Sequence, residues 1–239
     1  MLNLKTMYRM LAALVLFGIS FGYVEAAVVV YLRDIYDPLR HRLHPERPPN
    51  DLFPLISVEQ LQTSGPNNMR RLIIEIGREA ATMLMLASIG LAIGTNLRQC
   101  AAAFFVAFGI WDIFYYIFLN LMIHWPDSLF TWDLLFLLPA PWVGPVLCPV
   151  LVSLVMIACG LYTLRQDVRI GWSHWLAIVA GGLIIIAAFL WDTRALAAGA
   201  VPTHFPWPVF AAGLLIAILG FLTAARRPGY RESRTPRDS

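Results

Sequence analysis

The sequence predicts an all-α bundle of membrane-spanning helices. Three observations carry this. The 239 residues are 59% hydrophobic and only 14% charged, against about 45–50% and 25% for soluble domains. The apolar residues collect into runs of about 20, the length that crosses a hydrocarbon core of about 30 Å. Charged residues fall mainly between those runs. This balance leaves little for a domain outside the membrane. The net charge of +3 has no clustered basic face of the kind that binds nucleic acid. The expected surroundings are the lipid bilayer and a homo-oligomer or larger membrane complex. Cys100, Cys148 and Cys159 lie in or beside apolar runs, without metal-type spacing and in a number that does not pair off.

The first run, residues 8–32, follows Lys5 and Arg9 as a signal peptide would. It continues well past the roughly 7–15 residues of a signal h-region, so an uncleaved first span is expected. Residues 33–71 form the expected outer loop. Its stretch "DPLRHRLHPERPPNDLFP" is too rich in proline for regular structure. Within it, Ser57 and Gln60 resemble a capping box opening a short helix, "SVEQLQT". His41, His44 and Glu46 have metal-binding side chains, but the intervening Arg residues and Pro45 favour a solvated loop.

Further spans are expected at 72–94 and 99–123. The stretch 129–164 is too long for one span and too short for two. Pro139, Pro141, Pro145 and Pro149 interrupt it, each removing a backbone donor and crowding the preceding turn. We expect a short broken or re-entrant helix near 127–138, an irregular "PAPWVGP" segment and a fourth span at 146–164. Non-helical backbone survives at membrane depth only when protein or a water-filled cavity covers it. Spans five and six are expected at 172–191 and 207–225, followed by a basic, disordered tail at 226–239. The transmembrane domain would thus comprise 1–225.

Six crossings put both chain ends on one side. Lys5, Arg9, Arg98, Arg165, Arg169 and the arginines of the tail share that side. The positive-inside rule therefore predicts cytoplasmic termini, in a cell membrane of the bacterial inner-membrane kind.

Orientation converts charged positions into depths at about 1.5 Å per residue. Glu25 and Glu79 come to lie roughly 10 Å below the outer ends of their helices, and Asp112 near mid-membrane. Asp133 precedes the broken segment, and His124 and His204 mark the outer ends of spans three and six. Nearly every ionisable residue within a span falls in the outer half. The stretch "IIEIGREAATMLML" places Glu75, Arg78 and Glu79 on one helix face by the i, i+3, i+4 rule. In "GIWDIFYYIF", Asp112 shares a face with Tyr115 and Tyr116. A lone charge at the centre of a membrane helix costs about 2.5–3.5 kcal/mol. Such residues are therefore expected to face one another or water. We expect Glu25, Arg78, Glu79 and Asp112 to converge between the first three spans as an ion- or proton-binding site. Glu75, Tyr116, Asp133, His124 and His204 would support it.

Three carboxylates against one arginine call for bound protons or a hard divalent cation held by Glu25, Glu79 and Asp112. No histidine lies mid-span, which argues against haem held by two imidazoles. No P-loop, HExxH or GxSxG motif is present. The leading functional expectation is a small proton- or cation-coupled transporter. One alternative is a membrane-embedded enzyme, metal-dependent or not, acting on a lipid or apolar substrate at the outer leaflet. Another is an accessory subunit of a membrane complex whose polar cluster is purely structural. Transport predicts a polar lining to both faces, an enzyme needs a pocket on one side, and an accessory subunit predicts no cavity.

Overall fold

The structure, a computed structural model, describes residues 4–48, 51–166, 168 and 170–226. Six of its helices are long and apolar enough to cross a membrane. They are α1 (Leu4–Leu43), α3 (Pro66–Ile93), α4 (Leu97–Ile123), α5 (Leu147–Arg165), α6 (Trp172–Phe189) and α8 (Trp207–Ala225). Two short helices, α2 (Val58–Thr63) and α7 (Thr193–Ala197), and a two-stranded hairpin of β1 (Trp132–Phe136) and β2 (Trp142–Pro145) complete the described elements. The chain is an all-α, multi-pass bundle, with boundaries near those its apolar runs predict. The tail beyond Arg226 lies outside the described residues.

α4 is the central helix, packed on α1, α3 and α5. Small residues allow this. Ala102, Ala103, Ala107 and Gly109 are buried on it, and a Cβ at Gly109 would sit 2.6 Å from the Ser153 carbonyl oxygen of α5. α6 and α8 form a second close pair, joined to the rest mainly through α5 and β2. Their glycine runs do what they suggest in sequence: Gly181 and Gly213 each face the other helix's backbone. The half of the bundle nearest the chain ends is filled by Leu11, Leu14, Leu86, Ala103, Val106 and Ala107.

The structure corrects two expectations. The proline-rich stretch after residue 33 is partly helical, because α1 runs on through Pro38 to Leu43. At 40 residues it is about 60 Å long, so it projects well beyond one bilayer core. Asp37 pairs with Arg40 one turn later, and Arg40 also donates to the Asp51 carbonyl oxygen at 2.6 Å. The predicted capping box is present: Gln60 N donates to Ser57 Oγ at 3.2 Å and Ser57 N to Gln60 Oε1 at 2.8 Å.

The second correction concerns 127–138, which forms a turn and then β1, not a short helix. Trp132 pairs with Pro145, Asp133 with Gly144 and Leu134 with Val143, with an irregularity before Phe136. Phe136 packs against Trp111, at the middle of α4, with ring centroids 6.3 Å apart. The re-entrant element is therefore a hairpin. Its backbone polar groups still need partners. Pairing between the strands satisfies most, and Pro139 and Pro141 have no N–H to satisfy. Pro141 O accepts from Thr193 Oγ1 at 2.9 Å.

Candidate functional site: a one-sided chamber

The hairpin, α1, α3, α4, α5 and α6 enclose a cavity of about 790 Å³. Arg78 bridges α1 and α3. Its guanidinium donates to Glu25 Oε1 at 2.6 Å and to Glu75 Oε1 at 2.8 Å. Thr82 Oγ1 donates to the same Glu25 oxygen at 2.9 Å. Glu25 is only 5% exposed, so this network supplies the counter-charge and donors its carboxylate needs away from water.

Glu79, one residue further along α3, faces the hairpin tip. Leu137 N donates to both of its oxygens, at 2.9 and 3.1 Å. A side chain from a span thus satisfies the backbone donor at the end of β1.

α4 presents Phe108, Trp111, Asp112, Tyr115 and Tyr116 to the cavity, one face at i, i+3, i+4, i+7 and i+8. Ser153 Oγ donates to Asp112 Oδ2 at 2.8 Å, across the close α4–α5 contact that Gly109 permits. Asp112 itself is half-buried and borders the open space. Tyr116 donates to Asp133 Oδ2 at 2.9 Å, and Leu134 N to Asp133 Oδ1 at 2.8 Å. Asp133 sits in the hairpin, outside the spans, and is 3% exposed. Burial pushes its carboxyl up from 3.8 to about 6, while the Tyr116 hydrogen bond and the charge of Arg33 oppose the rise.

All four principal candidates, Glu25, Arg78, Glu79 and Asp112, therefore line one cavity, as do Glu75, Tyr116 and Asp133. They do not meet at one point, because each carboxylate has its own donor. Among the described residues, no three or more His, Cys, Asp or Glu side chains are grouped to hold a metal ion. His124 and His204 are exposed and lie outside the lining; His124 ends α4 in the left-handed conformation, at φ 54°. His44 Nδ1 and Glu46 Oε1 lie 3.7 Å apart in the loop.

Arg33, which also borders the cavity, carries no signal in the sequence. It falls at the expected start of a loop and becomes part of the wall only because α1 continues past it. Ser153 and Thr82 are legible as weakly polar residues within spans, but not as partners of Asp112 and Glu25.

Comparison with family models, with curated proteins and with solved structures finds no match to this chain.

Proposed function

We propose that this multi-pass membrane protein is an enzyme embedded in the bilayer, which takes a lipid-like or other apolar substrate into the chamber from one leaflet. The observation that carries the reading is the depth at which the chamber stops. Its lining ends at Thr82 on α3, Phe108 on α4, Met156 on α5 and Gly182 on α6, each near the middle of its helix. Beyond that level the bundle is packed with aliphatic side chains. A one-sided pocket with apolar walls and a few placed polar groups suits a bound substrate. Among the described residues, its lining does not continue to the other face.

Asp112 and Asp133 are the proposed acid–base pair. They lie on different walls, each with one hydrogen-bonding hydroxyl, and a carboxyl near 6 is suited to proton transfer close to neutral pH. Glu25, Glu75 and Arg78 hold α1 and α3 in place around them. The excess of Lys and Arg on the side of the chain ends supports cytoplasmic termini, and so a chamber opening toward the outer leaflet.

The test is reconstitution of the purified protein into liposomes of total bacterial membrane lipid, followed by mass spectrometry of the lipids. The expected result is time-dependent conversion of one lipid class, slowed by about 100-fold or more in Asp112→Asn. An unchanged lipid profile with the wild type ends the enzyme reading. A proton-coupled carrier is the second reading, supported by the Glu79–Leu137 hydrogen bonds, which tie a span carboxylate to the hairpin tip. Uptake driven by a proton gradient would support it. The cavity speaks against a purely structural accessory subunit.

A further inference from the structure

The acid–base pair leaves unused the most distinctive cation of the chamber. Arg78 is paired with Glu25 and Glu75, and Arg40 with Asp37. Arg33 forms no ion pair among the described residues, and its Nε and Nη2 have no hydrogen-bond partner. Its guanidinium lies over the Trp125 ring, 4.2 Å from the centroid. Asp133, whose charge it feels, already accepts from Tyr116 and Leu134. A guanidinium presents a planar fork matched to a carboxylate or phosphate, and a buried cation without such a partner is costly.

Deeper in, the wall formed by Met156, Ile185, Ile186 and Phe189 is apolar. Gly182 continues it, and a Cβ built there meets nothing within 4 Å. α3 and α6 both line the chamber. The Trp111 ring, 7% exposed, also borders the chamber, and its indole N–H has no acceptor among the described residues.

From this geometry we infer that the chamber binds an anionic amphiphile, with its oxyanion head on Arg33 and a hydrocarbon chain lying along the apolar wall of α5 and α6 past Gly182. Glu25 and Glu75 already accept from Arg78, and Glu79, Asp112 and Asp133 from Leu137, Ser153 and Tyr116, so Nε and Nη2 of Arg33 stay open to an incoming oxyanion. The inference rests on the chamber admitting lipid-like molecules, as proposed above, but not on any catalysis.

The test uses the full chain in nanodiscs with photoactivatable probes sharing one C16 chain and differing in head: carboxylate, phosphate monoester, neutral alcohol and trimethylammonium. Mass spectrometry maps the labelled peptides. The expected result is labelling of the α6 segment 182–189 by the oxyanion probes at concentrations at least tenfold below those needed for the alcohol or ammonium. The stronger oxyanion distinguishes a fatty-acid-like from a phospholipid-like head. Arg33→Gln is expected to weaken oxyanion labelling at least tenfold, and Arg33→Lys to retain much of it. Gly182→Leu is expected to block labelling. Gly77→Leu, at an exposed position outside the lining where a Cβ also meets nothing within 4 Å, is expected to leave it unchanged. Thermal unfolding of each variant separates lost binding from lost fold. Equal labelling by all heads, or none lost in Arg33→Gln, overturns the anionic head while the chamber reading stands. Absence of labelling at 182–189 with every probe overturns both.

Discussion

At the scale of single residues, the ionisable groups of the spans divide by what they touch. Arg78 fastens two helices together, since its guanidinium joins Glu25 on α1 to Glu75 on its own helix. Removing one member of a buried ion network leaves the others uncompensated, at about 3–5 kcal/mol. Arg78 retains a quarter of its side-chain exposure, so the lower end applies. Arg78→Ala is expected to lower stability by about 3 kcal/mol, read by thermal unfolding in detergent, and Glu25→Gln by less. Asp133 behaves differently. Its folded carboxyl binds a proton up to about pH 6, against 3.8 in the unfolded chain. The folded state therefore holds the proton more tightly than the unfolded state. The resulting stability is present in full below about pH 3.8 and is lost as pH rises through about 6. Asp133→Asn is expected to flatten that step in a series of unfolding temperatures across pH 3–8. Glu25, Arg78, Glu79 and Asp112 were legible because charges within apolar runs are costly and helical spacing tells which share a face. Arg33 was not, because its role depends on where α1 ends.

At the scale of elements, the hairpin decides the shape of the chamber. Apart from Asp133, its strands are apolar on both faces, so they lack the period-two pattern that marks a half-buried strand. A short apolar run interrupted by proline reads as broken helix as easily as strand. What makes the strand form is tertiary. Gly144 on β2 leaves room for Phe189 and Phe205, which a Cβ there would meet at 2.8 and 3.2 Å. Glu79 then takes the donor at the end of β1. Glu79→Leu leaves Leu137 N–H without a partner, a cost of about 1–3 kcal/mol. Hydrogen exchange at the hairpin tip is expected to quicken about tenfold or more in this variant, with exchange in α4 little changed. Exchange at the tip equal to the wild type would show that Glu79 does not hold the hairpin. The capping box of α2, by contrast, was fully local. Ser57 and Gln60 are three residues apart and need nothing else, which is why it was read correctly.

At the scale of the whole molecule, the bundle is closed near the chain ends and open near the hairpin. Small residues on α4 and α5 bring the central helices together, while α3 and α6 both line the chamber. The proposed sidedness rests on charge: single cysteines placed at residue 3 and at the C-terminus are expected to react with a membrane-impermeant maleimide only after the cells are permeabilised. One at the exposed Thr63 is expected to react in intact cells. The opposite pattern would turn the chamber to the cytoplasm without altering its geometry.

By itself the sequence determined the membrane class, the six spans to within a few residues for most ends, the capping box and the bias of charge to one half of the bundle. These depend on composition, run length and local spacing, which are one-dimensional quantities. Only the tertiary structure decided that the proline segment is a hairpin, that Glu79 binds its tip, that Asp112 meets Ser153 and that Arg33 faces the cavity. The two hydrogen bonds join residues 41 and 58 positions apart, and they arise from how the helices and the hairpin pack. Neither is written in any single helix.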